Sequence, residues 1–204
     1  MIAGKNGVTA KTPGNILFGA GTIHRGLKYT VGTGWNYLES LAGATSGGSK
    51  LSIVPETVDV PVDGVNVPTK GLKKKVGEKA TLEVNFAELT PDIIKAGTLG
   101  MQYAEDEEGL ALLYTHIVSK ADITADDYWE NIAFVGQTLD GKDVIAILPD
   151  ALCTSGFENE GKNKEGAIGK YTFECHADIG DETDTNTLPW HIYWPNAVDV
   201  QDRD

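Results

Sequence analysis

The sequence predicts a mainly β fold, an antiparallel β-sandwich or partly open barrel with one short α-helix, an extended loop and terminal arms, on three observations. Apolar and polar residues alternate with period two through residues 72–86, 58–67 and 171–175, as in strands buried on one face. Glycine punctuates or bounds such runs at Asp63-Gly64, Gly77 and Asp140-Gly141, where hairpins turn. Helix-start chemistry stands out at one place, Thr90-Pro91-Asp92.

In order, residues 1–15 form an N-terminal arm. From 16 to 29, Ile16, Leu17, Phe18, Ile23 and Leu27 mix with Gly19, Gly21 and Gly26, a strand broken by bulges or close backbone approaches. Residues 30–50 turn to glycine and small polar residues around Trp35, Tyr37, Leu38 and Leu41. They read as a long loop that docks through those side chains, on its own domain or on a neighbour; deleting residues 33–49 is then expected to leave the fold intact. Val58, Val60 and Val62 oppose Thr57, Asp59 and Pro61, and Asp63-Gly64 turns the chain into Val65 and Val67, with Pro55, Pro61 and Pro68 confining these strands to an edge or to bulges.

Next, Leu72, Lys74 and Val76 share a face, Gly77-Glu78-Lys79 reverses the chain, and Ala80, Leu82, Val84 and Phe86 form the dry face of the return strand. Thr90 caps a helix with Pro91 in its first position and Asp92 in its first turn, and Gly97 ends it. Residues 109–118 lean to a strand. IAFVGQ and DVIAIL, residues 132–137 and 143–148, flank Asp140-Gly141 as a hairpin with well-buried arms. A late strand over 168–177 turns Tyr171, Phe173 and Cys175 inward and Thr172, Glu174 and His176 outward. The C-terminal extension, 188–204, sets Trp190, Tyr193 and Trp194 between Pro189 and Pro195, an anchoring strap with an acidic end.

A chain of 204 residues fits one domain that buries ~70% of its unfolded surface. The two cysteines, Cys153 and Cys175, read as reduced, buried thiols. No apolar run matches a signal sequence or a membrane span, so a cytoplasmic origin is the default. The net charge of −13, from 30 acidic and 17 basic residues, excludes an ordinary nucleic-acid binder. Acidic residues gather at 105–108, 178–184 and 199–204, basic ones at 70–79.

Chemistry-bearing patterns are missing. His24, His116, His176 and His191 stand singly. GAGTIHRG begins like a dinucleotide fingerprint but has His24 in the third glycine position. Asp122, Thr124, Asp126, Asp127 and Glu130 space carboxylates somewhat like a calcium loop without its turn glycine. The serines lack a nucleophile-elbow context. No catalytic residue, cofactor or metal is expected, and no enzyme.

The run ETVDVPVDGVNVPTKGLKKKVGEKATLEVNFAELTPDIIKAG, residues 56–97, resembles the major tail tube proteins of long-tailed bacteriophages, in which a valine-rich strand, a Gly-Glu-Lys-Ala hairpin and a Thr-Pro helix start follow in that order. AGATSGG, DYWENIAFVG, DGKDVIAILPDAL and KYTFECHAD add secondary echoes, so the resemblance spans residues 16–178. It implies a structural virion protein that assembles with itself into stacked hexameric rings, the conduit for genome ejection. Such a protein is made in the host cytoplasm and resides in the virion tail. The implied partners are other copies and the tape measure, terminator and baseplate proteins, with DNA passing unbound and no membrane. Trp35, Tyr37, Leu41, Trp190 and Trp194 are then expected at contacts between subunits or rings, and Asp59 and Glu83 at an acidic lumen. The alternative is a soluble β-sandwich module binding a carbohydrate or surface partner through Trp190, Tyr193 and Trp194.

Overall fold

Seven strands form one antiparallel sheet in a computed structural model of the chain, which describes residues 7–103, 113–160, 163, 166–180 and 186–196. They are β1 (Leu17–His24), β4 (Thr45–Asp59), β5 (Lys73–Phe86), β8 (Tyr128–Thr138), β9 (Asp143–Cys153), β10 (Gly169–Cys175) and β11 (His191–Tyr193). Their order is β1-β8-β9-β10-β5-β4, and β11 pairs with β9. Because β8 occupies one edge of β9, β10 and β11 share the other, against residues 151–153 and 145–147 respectively. The sheet curls into a half-barrel, bringing its end strands β1 and β4 into contact. Two small ribbons accompany it, β2 (Tyr29–Thr30) with β3 (Gly34–Trp35) and β6 (Met101–Gln102) with β7 (Ile117–Val118), as do the one-turn helix α1 (Tyr37–Ser40) and the helix α2 (Pro91–Thr98).

The main core gathers Leu82, Val84, Phe86, Trp129, Ile132, Leu148, Tyr171 and Phe173 from the sheet with Ile93 and Ala96 of α2. A second cluster, Ala133, Val135, Ile145 and Ile147 with Leu27, is covered by Trp35 and Tyr37. The β8–β9 hairpin is thus packed on both faces, the reason its arms read as apolar runs rather than alternations. Gly141, at φ +82°, makes its turn. The inward set of β10 is as the alternation predicts, Tyr171, Phe173 and Cys175 all being buried, and both cysteines are free.

Four expectations need correction. Gly77 does not reverse the chain: β5 runs unbroken from Lys73 to Phe86, Gly77 pairs with Glu56, and the register slips there by one residue because Thr57 pairs with Lys75. That bulge switches the phase of alternation without a turn. The Asp63-Gly64 turn closes with Val65 N–H donating to Val62 at 3.1 Å, but it sits inside the β4–β5 connection instead of joining two valine strands. Residues 30–50 are mostly structured, since β3, α1 and the start of β4 lie within them. Gly97 lies inside α2, where a Cβ would come within 2.7 Å of the Tyr171 ring, and Leu99 ends the helix in the left-handed region at φ 49°.

The helix start is as expected, with Ile93 N–H donating to Thr90 Oγ1 at 3.4 Å and Pro91 at the first position. Of the strand expected over 109–118, only Ile117 and Val118 are strand, as β7; 113–116 are irregular, and 109–112 lie outside the described residues.

Gly21 marks the bulge in β1, where pairing with β8 slips between Phe18 and Thr22. It sits at φ +66°, and a Cβ there would lie 2.4 Å from the Phe134 ring and 2.7 Å from the Val135 carbonyl. Gly21→Ala is expected to cost about 2–5 kcal/mol, from left-handed strain plus overpacking, read as a lower urea midpoint at unchanged slope.

Candidate assembly surface

The longest strands, β4 and β5, outrun their sheet. β10 pairs with β5 only as far as Glu174↔Thr81. Beyond that, β4 and β5 continue alone from Val54↔Lys79 to Asp59↔Lys73, a two-stranded ribbon of about 20 Å. Residues 54–71 are all exposed. Val54, Val58, Val60, Val62, Val65 and Val67 stand in solvent, Val67 at 69%. Residues 60–75 carry four lysines against one aspartate in a chain of net charge −13. At the ribbon's base the Lys75 ammonium, 3.0 Å from Glu78, holds that carboxyl below its usual range against the opposing effect of burial. The buried indole N–H of Trp190 makes no ordinary hydrogen bond but adds to the same lowering.

An aromatic cleft of about 460 Å³ opens over the start of β9, lined by Tyr29, Trp35, Tyr37, Asp143, Ile145, Tyr193, Trp194 and Pro195. The β2–β3 ribbon and α1 build one wall. The Trp35 ring meets Tyr29 edge-on at 5.3 Å and Tyr193 at 5.2 Å. Tyr37 donates its hydroxyl to Asp143 at 2.9 Å, and Gln137 donates to the other carboxylate oxygen at 3.1 Å. Burial first, then the Asp143 bond and charge, push the Tyr37 hydroxyl up to about 12.

His24 pins that wall to the sheet. Ser40 Oγ donates to the Asn36 carbonyl and therefore accepts from His24 Nδ1–H, both at 2.9 Å. His24 Nε2 is then left to accept from the Thr22 hydroxyl at 2.9 Å. The imidazole is 3% exposed, and burial lowers its pKa below 6.5 despite a raising contribution from the Tyr37 backbone. The unfolded chain thus binds this proton more readily than the folded one, so the stabilisation is complete above pH 6.5 and is lost as pH falls below it. We expect the urea midpoint to drop between pH 7 and pH 5.5, and His24→Gln to remove that part of the slope.

The expected contact residues are thus dispersed. Trp35, Tyr37 and Trp194 meet in the cleft, where Trp35 and Tyr37 also cover their own core. Leu41 lies 55% exposed beside an isolated bridge to His24. Trp190 packs against the main core, away from any platform with Tyr193 and Trp194. Because Asn36, Ser40 and the paired residues of β4 fall within 33–49, that segment is bonded into the fold, and its deletion is expected to disrupt the fold instead of leaving it intact. Asp59 is paired with Lys73 at 3.3 Å and Glu83 with Lys50 at 2.7 Å, so each carboxylate is matched by a neighbouring cation.

Sequence reasoning missed the ribbon, because exposed valines at alternate positions look the same as buried ones. The calcium-like spacing forms no ligand set. Asp127 instead caps the turn at Thr124, whose N–H it accepts at 2.7 Å, and pairs with Lys120. Burial alone would raise its pKa; those bonds bring it below the usual value. Among the described residues no group of three His, Cys, Asp or Glu could hold a metal, and no helix is long and apolar enough to cross a membrane. A scan against protein-family models and a search of curated proteins both found no match to this chain.

Proposed function

We propose that this chain is a structural subunit of a phage tail tube, assembling with copies of itself into stacked hexameric rings through which DNA passes without sticking. The observation that carries the reading is the β4–β5 ribbon, which exposes valines along its length although apolar surface of that kind is ordinarily covered. A half-barrel whose end strands β1 and β4 pair with no further strand on their outer edges among the described residues, the single His24–Leu41 bridge at the end of β1 aside, also suits lateral extension by a neighbour. A net charge of −13 suits a passage for a polyanion. The resemblance of residues 56–97 supplies the ring and tube form, the virion location and the tape measure, terminator and baseplate partners. Negative-stain microscopy of the purified chain at high concentration tests this: annular particles or tubes are expected, and a field of isolated small particles would reject it.

The aromatic cleft favours a second reading, a binding module that stacks a sugar ring on Tyr29 or Tyr193 with Asp143 as hydrogen-bond acceptor. A saturable saccharide titration of a chain that stays monomeric would establish it in place of the first.

A further inference from the structure

We propose that the tip of the ribbon, residues 60–72, docks in the aromatic cleft of a second copy of this chain. This rests on the self-assembly reading and names the contact that drives it. The two surfaces are unpartnered and chemically matched. The tip presents Val60, Pro61, Val62, Val65, Val67 and Pro68, and Lys70 flanks them, with Lys73 nearby paired to Asp59 at 3.3 Å. The cleft presents Tyr and Trp faces beside the Asp143 carboxylate. Prolines lie well on aromatic walls, and a lysine is drawn to ring faces and to a carboxylate.

Charge selects a second copy as the occupant. Residues 60–75 carry +3, four lysines less one aspartate, so the remainder of a chain of net −13 carries −16. A basic tip on an acidic body is attracted to other bodies of the same kind. The tip does not fill its own cleft, which no residue of the ribbon lines. The paired strands hold it clear, all of residues 54–71 being exposed. Tip-to-cleft contact is heterologous, each copy giving one tip and receiving one, so it closes into a ring or runs on as a filament according to the rotation between copies.

The test uses two full-length variants. Tyr29→Ala with Tyr193→Ala empties the cleft; Val62→Asp with Val67→Glu spoils the tip. Measured by mass photometry and sedimentation, each alone is expected to associate at least about thirtyfold more weakly than the parent chain. Mixed, they retain one sound cleft and one sound tip, so a 1:1 heterodimer forms and nothing larger, weakening as salt rises. Near-ultraviolet circular dichroism verifies folding; if the double cleft variant is unfolded, Tyr29→Ala alone serves, since that side chain is 60% exposed. Rings or tubes that persist in the cleft variants but not in the tip variant would overturn the cleft assignment and leave the tube reading standing. A parent chain that stays monomeric, together with a mixture that forms no complex, would overturn both.

Discussion

Replacing residues 60–72 by an Asn-Gly turn is expected to give a folded chain that no longer assembles. The graft is geometrically mild, because Asp59 and Lys73 face each other at the end of the paired ribbon, the spacing a two-residue hairpin loop closes. Nothing in the cores is touched: no residue between 54 and 79 belongs to either buried cluster. The thermal midpoint should therefore move by only a few degrees. Association should fall by two orders of magnitude or more, since several apolar side chains and the local positive charge leave together. Sizing of the two chains side by side reads the effect. A shortened chain that assembles as well as the parent would show that the ribbon is ornamental.

The largest stability loss is expected from Phe173→Ala. Phe173 is fully buried in the middle of β10, paired with Leu82 on one side and Cys153 on the other. Its ring lies 4.8 Å from that of Trp129. Truncation leaves a cavity that a residue fixed by two ladders cannot close by moving, so the cost is about 3–5 kcal/mol, a large part of the 5–15 kcal/mol typical of a domain. Urea unfolding monitored by tryptophan fluorescence measures it. A loss under about 1 kcal/mol would mean that the sheet does not converge on this residue.

Elements whose evidence was local were legible. Tyr171, Phe173 and Cys175 alternate on a strand packed on one face; Thr90, Pro91 and Asp92 are consecutive; Asp140-Gly141 joins two apolar runs within reach of each other. What escaped depended on distant partners. The residue pattern around Gly77 reads the same whether the chain turns or bulges, and only the opposing Glu56 and Thr57 decide between them. Gly47 and Gly48, at φ +84° and +80°, look like loop residues but form a bulge in β4, where Asn85 donates to the Gly48 carbonyl at 3.0 Å.

The candidate site was half legible for the same reason. Trp35 and Tyr37 stood out as aromatics in polar company and Trp194 as part of an aromatic strap between two prolines, but their convergence with Tyr29 and Tyr193 needs β11 to lie along β9. The ribbon was hidden because Val54, Val58 and Val60 carry the pattern of a dry face without a covering layer. Trp190 was misplaced for the opposite reason, being drawn inward beside Glu78 while its neighbours face out.

The account stands on one claim, that this chain is completed by copies of itself. Sedimentation velocity across a hundredfold range of concentration, at low and high salt, tests it most directly. The prediction is a monomer boundary at high dilution that gives way to discrete ring-sized and larger species on concentration, with the shift suppressed by salt. A single monomer-sized boundary at every concentration and both salt levels would contradict it.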